Sequence, residues 1–258
     1  MSGFALLRAD PRIGLPQPLS LADRAVDEVA LHCTKVVNAR GVDPRALLER
    51  LMREGTAVAR SDGSVHRLFP VAVPAVEGEA LRGWVRREGA RRTIEIGLGY
   101  AIAALHICAG LLENDAVAAR HVAIDPNQAT RFAGCGLQFL EEAGLADLVE
   151  FHAEESQLIL PRLVGEDRSF DLAFVDGNHR FDGVFLDLVY LGQLVRPGGI
   201  VFLDDYQLPA VARAASFCLT NLGWTLEETS AADELHHWAV LRTAFEPADR
   251  PFDHFVAF

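Results

Sequence analysis

From Thr93 to Leu222 the chain alternates short strand-like runs with longer amphipathic ones, and this alternation limits its fold more tightly than any other feature. The strand-like runs are Thr93–Gly97, His121–Asp125, Leu148–His152, Asp171–Asp176 and Gly199–Asp205. The helical runs are Ala101–Glu113, Asn127–Ala143, Phe181–Val195 and Pro209–Leu222. Strand and helix in turn at this spacing imply parallel strands joined by right-handed crossovers. Trp224–Glu228 and Trp238–Thr243 then leave no room for a helix between them, so they should close the sheet as an antiparallel pair. The expected architecture is α/β: a seven-stranded mixed sheet, its last strand antiparallel, flanked by helices.

The first 75 residues follow another pattern. Ser20 can cap a helix over Leu21–Arg40, with Asp23 in the capping-box position and Gly41 as the stop. Asp43 and Pro44 open a second helix that Gly55 ends. Residues 61–75 read as a loop with two prolines, and a third helix over Val76–Glu88 places Leu81, Trp84 and Val85 on one side. The chain is therefore divided into an N-terminal helical extension, 1–75, and a main domain, 76–258.

Charge and composition remove several classes of function. The 258 residues carry a formal net charge of −12, which repels a polyphosphate backbone and argues against a nucleic-acid binder. Arg86, Arg87, Arg91 and Arg92 form the one dense basic cluster. The most apolar long window, Ile102–Leu112, is interrupted by His106 and is far short of the ~18–20 residues of a membrane span. The N-terminal apolar run is too short for a secretion signal. Cys33, Cys108, Cys135 and Cys218 show no paired spacing and read as free thiols of a cytoplasmic protein.

Thr93-Ile94-Glu95-Ile96-Gly97-Leu98-Gly99-Tyr100-Ala101 is a strand, a glycine turn and a helix start. Ligands of such sheets bind at the carboxyl ends of strands. Gly97 and Gly99 would let backbone approach a ligand, although a tight turn alone also explains them. A carboxylate at Glu95 suits a cationic ligand better than a pyrophosphate. Asp125, ending the second strand, can accept from ribose hydroxyls or cap the following helix, and Glu154 can meet an adenine amino group.

Taken together, E-I-G-L-G (95–99), V-A-I-D (122–125), F-D-L-A-F-V-D-G-N-H (170–179) and L-V-R-P-G-G-I-V-F-L-D-D (194–205) resemble the class I S-adenosylmethionine-dependent methyltransferases. The likeness is greatest to small-molecule O-methyltransferases with a D-G-x-H…P-G-G…D-D pattern, and it covers about residues 74–243. It implies a Rossmann-like fold. Carried over by position, Glu95, Gly97 and Gly99 would line the methionine portion of the cofactor, Asp125 would hold its ribose, and Glu154 would sit near adenine. Asp176 would border the cofactor as well. The chain departs from the family at Ala101, where Gly or Ser is frequent, and at Ala153-Glu154, where Gly-Asp is usual.

Asp176 ends the fourth strand and Asp204-Asp205 the fifth, and the expected strand order makes these ends neighbours. Two unit charges ~4 Å apart repel by about 4 kcal/mol at an effective dielectric near 20, so a cation, a raised pKa or open water must relieve the group. The resembling family commonly holds Mg²⁺ there, which implies Asp176, Asp204 and Asp205 as ligands; exposed or helix-capping acids are the alternative. His179, on the loop above the fourth strand, can act with Asp176 as the catalytic pair by taking the acceptor's proton, or can merely shape the loop. His152 reads as a packing residue, and His236-His237 are spaced wrongly for two ligands on one face.

The expected activity is methyl transfer from S-adenosylmethionine to a hydroxyl of a small molecule, with a metal as a possible assistant. A non-catalytic cofactor-binding scaffold is one alternative. A nicotinamide-dependent oxidoreductase is another, but it expects Gly or Ala where Ile102 stands. An exposed apolar face on Leu21–Arg40 would favour a homodimer.

Overall fold

In a computed structural model, residues 42–114, 118–231, 236–246 and 250–258 are described. The expected helix Leu21–Arg40, its Ser20 cap and Cys33 lie outside them. Helix α1 (Pro44–Glu54) starts where Asp43 accepts the Arg45 N–H at 3.0 Å and stops at Gly55, with φ 63°. Strands β1 (Thr56–Val58) and β2 (Val65–Arg67) then pair antiparallel, so part of the expected 61–75 loop is a hairpin. Three-residue strands with an exposed Val at either end carry too short an alternation to be read from sequence.

Helix α2 (Ala75–Arg87) leads into β3 (Arg92–Ile96). After it come α3 (Ile102–Glu113), β4 (Arg120–Ile124), α4 (Cys135–Glu142), β5 (Val149–His152), α5 (Ser156–Gly165), β6 (Phe170–Val175), α6 (Phe181–Leu194), β7 (Val195–Leu203), α7 (Pro209–Asn221), β8 (Thr225–Thr229) and β9 (Ala239–Arg242). The large sheet runs β5-β4-β3-β6-β7-β9-β8; β9 pairs antiparallel with both its neighbours, and the other four pairings along the sheet are parallel. This is the expected seven-stranded mixed sheet with its last strand reversed.

Period-2 alternation sends the side chains of each strand to opposite helix layers. Leu172 and Phe174 of β6 pack with α1–α4, whereas Ala173 and Val175 pack with α5–α7. A sheet covered on both faces explains why β6 and β7 are almost continuously apolar. Helix α3 is apolar all round because it is buried between the sheet and its neighbouring helices. No helix among the described residues is long and apolar enough to cross a membrane.

Two helices differ from expectation. The run Asn127–Ala143 becomes helical only from Cys135, because Asp125 captures the Asn127 N–H at 2.7 Å and Gln128 turns back to the Gly99 carbonyl at 2.6 Å. Helix α5 was not anticipated, since Pro161 stands inside it and removes a backbone donor. Strand order reverses direction between β3 and β6, which opens a crevice at their carboxyl ends.

Candidate active site

That crevice holds a cleft of about 460 Å³ lined by the β3–α3 turn, the ends of β4, β6 and β7, the loop before α2, and the start of α5. The strand-end ladder fixes its floor. Backbone N–H groups of Gly97, Asp125, Asp176 and Asp204 bond to Ile124, His152, Ile96 and Val175 carbonyls at 2.8, 3.0, 2.9 and 3.1 Å. Each acid is therefore the first residue beyond a strand, where its side chain is free to turn into the crevice.

Gly97 stands at φ 97°, and a Cβ there would lie 2.0 Å from the Asp176 carbonyl oxygen. Only glycine lets the β3–α3 turn press this closely on the end of β6. At Ala101 the backbone is left-handed, φ 59°, and no side chain caps α3. Ile102 and Ala103, whose N–H groups belong to the uncapped first turn, both border the cleft.

Asp125 is buried at the cleft wall and accepts from the N–H groups of Gly99 and Asn127 at 2.8 and 2.7 Å and from the Gln128 amide at 3.0 Å. It thus ties the turn after β3 to the turn after β4. Glu95 lies elsewhere. It shares with Thr93 the sheet face covered by α2–α4, is fully buried, and places its carboxylate 3.2 Å from His121 Nε2, while His121 Nδ1 is 2.9 Å from the Thr93 hydroxyl. Burial raises the Glu95 pKa against the pull of His121. An expected cofactor residue therefore sits beneath the cleft, inside the sheet. Glu154 also points away, pairing with Arg162 at 3.0 Å, and the cleft is bordered instead by Glu155 and Ser156.

Asp176, His179, Asp204 and Asp205 come together at the other end. His179 Nε2 lies 3.2 Å from Asp176 Oδ1, and Nδ1 lies 3.2 Å from Asp205 Oδ2. The Asp176 carboxylate, above all, raises the His179 pKa. Burial raises the pKa values of Asp176 and Asp204, and their acidic neighbours add to it. Asp205, held at φ 52°, donates its N–H to Asp204 at 2.6 Å. Two triads have ligand atoms within 4.8 Å of one another: Asp176, His179 and Asp205, and Asp204, Asp205 and His236. Oxygen-rich donor sets of this kind fit a divalent cation such as Mg²⁺.

Sequence reading missed Tyr100, Arg131, Phe132, Glu155, Ser156 and the 70–73 loop on the cleft wall. It also missed Glu77, fully buried beneath the acidic cluster. A signal for Glu77 was present: it shares the i, i+4, i+7, i+8 stripe with Leu81, Trp84 and Val85, so an acid stood on a buried helix face.

Residues 94–206 match a family described as a methyltransferase domain. Among curated proteins, caffeoyl-CoA O-methyltransferase of Populus kitakamiensis is 30% identical over 159 residues, 61% of this chain and 63% of that one. Tricin synthase 1 of Oryza sativa is 33% identical over 137 residues, 51% of each chain. The chain thus spans less than two thirds of these relatives. Of solved structures, the O-methyltransferase TomG of Streptomyces achromogenes, in complex with S-adenosylmethionine, superposes with a TM-score of 0.61 at 20% identity, covering 84% of this chain and 96% of that one. An O-methyltransferase of Bacillus cereus in complex with S-adenosylhomocysteine gives 0.62 at 17% identity, covering 84% and 97%. The fold is the Rossmann-like one of these solved O-methyltransferases.

Proposed function

We propose that this chain is an S-adenosylmethionine-dependent methyltransferase that acts on a hydroxyl oxygen of a small molecule, with a divalent cation at the acidic end of its cleft. One observation carries the reading: the glycine turn, Asp125 and the Asp176–His179–Asp204–Asp205 cluster all border a single crevice at the strand ends. The curated relative named as a caffeoyl-CoA O-methyltransferase supports the same reaction class.

Gly97 and Gly99 would hold the methionine portion of the cofactor, and the uncapped first turn of α3 would receive its carboxylate. Asp125, which ties the turns after β3 and β4 together, would offer its remaining lone pairs to a ribose hydroxyl. Glu155 and Ser156 border the far end, where the base would lie. The oxygens of Asp176, Asp204 and Asp205 would hold the cation. When bound, the cation would orient the acceptor hydroxyl and lower its pKa. Transfer breaks the sulfur–methyl bond, forms the oxygen–methyl bond and leaves S-adenosylhomocysteine. The acceptor's proton would pass to the His179 imidazole, whose two nitrogens lie 3.2 Å from Asp176 and Asp205. Alignment of the oxygen, methyl carbon and sulfur supplies the rest and can account for ~7–11 kcal/mol of barrier lowering.

Calorimetry with S-adenosylhomocysteine tests the cofactor. Micromolar binding that Asp125→Ala weakens at least tenfold is expected, and no heat at several hundred micromolar ligand would refute the proposal. Methyl transfer to a panel of small hydroxylated acceptors then separates an enzyme from a scaffold that only binds the cofactor.

A further inference from the structure

We propose that Glu77 is a member of the cation site, a fourth carboxylate that reaches the cluster from α2 and sets how tightly a divalent ion is held there. The inference rests on the cation part of the function proposed above. Glu77 belongs to neither the sheet nor the strand-end loops. Its helix lies so close on α3 that a Cβ at the next residue, Gly78, would stand 2.4 Å from the His106 ring. This close packing drives the buried stripe of α2 inward and brings the Glu77 carboxyl to hydrogen-bonding reach of Asp204, with Asp176 and Asp205 also facing it.

Glu77 is fully buried, and neither of its oxygens receives a hydrogen bond from a described residue. Removing a carboxylate from water costs several kcal/mol unless it is paired or coordinates a metal. No Lys or Arg among the described residues pairs with it. What it meets is another carboxylate, itself buried, in a group where His179 already stands between Asp176 and Asp205. A single shared proton would neutralise one of these acids and leave the others facing each other. A divalent cation among them satisfies the orphaned oxygens and the mutual repulsion together, and the two overlapping triads give it donors on the cleft side. Glu77 would complete the set from below.

The test is Mn²⁺ binding, followed by the loss of the free-ion paramagnetic resonance signal, on wild type, Glu77→Gln and Asp204→Asn, with S-adenosylhomocysteine calorimetry on each. Glu77→Gln keeps the shape and removes the charge. It is expected to weaken Mn²⁺ binding at least tenfold while S-adenosylhomocysteine affinity stays within twofold of wild type, and Asp204→Asn should weaken Mn²⁺ at least as much. If Glu77→Gln binds Mn²⁺ as tightly as wild type while Asp204→Asn does not, Glu77 carries no charge in the site and the proposal fails. If wild type itself ignores millimolar Mn²⁺, the proposal fails with the cation reading, and retained S-adenosylhomocysteine binding shows that the cofactor reading survives. Should Glu77→Gln not fold, Glu77→Met, which removes the buried polar group, is titrated to the same two outcomes.

Discussion

Burial acts on single side chains here with opposite signs, and Asp187 shows how it can be measured. It lies on the inner side of α6, 1% exposed, with the Ser156 hydroxyl and Glu155 as polar neighbours. Burial pushes its pKa up to about 6. The folded chain therefore keeps a proton on Asp187 that the unfolded chain loses near pH 3.9. Between those values the unfolded state binds fewer protons, so this group makes stability fall as pH rises from about 4 to about 6 and leaves it level above. Asp187→Asn should recover up to about 3 kcal/mol at pH 7.5 and almost nothing at pH 4. Urea unfolding of both proteins at the two pH values checks this; an equal gain at both would mean that the carboxyl does not hold its proton in the fold. Asp187 was not singled out in sequence, because α6 carries apolar residues on most sides and one acid among them signals nothing. Asp125, Asp176 and Asp204 were legible as strand-end acids because each follows a strand directly, and His179 and Asp205 because they lie in the loops that begin there. Glu95 was not: it lies two residues earlier, inside β3, and its side chain enters the α2–α4 layer beside His121.

Among elements, the contact that shapes the cleft is the one between the β3–α3 turn and the end of β6. Gly97→Ala would set a Cβ 2.0 Å from the Asp176 carbonyl in a conformation that L side chains rarely adopt. A loss of about 3 kcal/mol or more is expected, together with loss of S-adenosylhomocysteine binding, since the turn must move. Gly165→Ala, at the open end of α5, should be neutral or gain up to about 1 kcal/mol. If denaturant melts gave the two alanines equal effects, close approach at Gly97 would be no constraint. A second junction binds α2 to the far side of the sheet. Glu88, capping α2, takes Arg242 of β9 at 2.9 and 3.2 Å and Arg196 of β7 at 3.3 Å, and Arg196 continues to Asp171 at 3.0 Å. Glu88→Ala leaves Arg242, whose side chain is 16% exposed, short of its main partner. About 2 kcal/mol of stability should go, less than for a fully buried pair because water still reaches these groups; a change below about 0.5 kcal/mol in urea would place the junction among ordinary surface pairs. The sheet was legible because buried parallel strands are long apolar runs ending in acids. The β1–β2 hairpin, the late start of α4 and the Pro161-bearing α5 were not, since each depends on partners distant in sequence or breaks a local rule.

For the whole molecule, a formal charge of −12 and a cleft bordered by Asp125, Glu155, Asp176, Asp204 and Asp205 define the field that a ligand enters. S-adenosylmethionine carries a sulfonium charge that S-adenosylhomocysteine lacks, so the two differ mainly in how they feel this field. A cofactor-sized ligand present at 100 times its Kd stabilises the fold by about 2.7 kcal/mol whatever its charge, so both should raise the melting temperature. Their salt responses should differ. The part of the attraction that comes from charges beyond the cleft is screened over about 10 Å at 0.1 M salt, whereas hydrogen bonds and packing are not. Raising NaCl from 0.05 to 0.5 M should therefore weaken S-adenosylmethionine binding by roughly threefold or more, chiefly through its association rate, and change S-adenosylhomocysteine binding by less than about twofold. Divalent ions must be held constant in both titrations, because occupancy of the acidic end would itself cancel part of the field. Parallel salt slopes would mean that the acids facing the cleft are neutralised before the cofactor arrives, by bound cations or by protons, and that the donor is then recognised by shape and hydrogen bonds rather than by its charge.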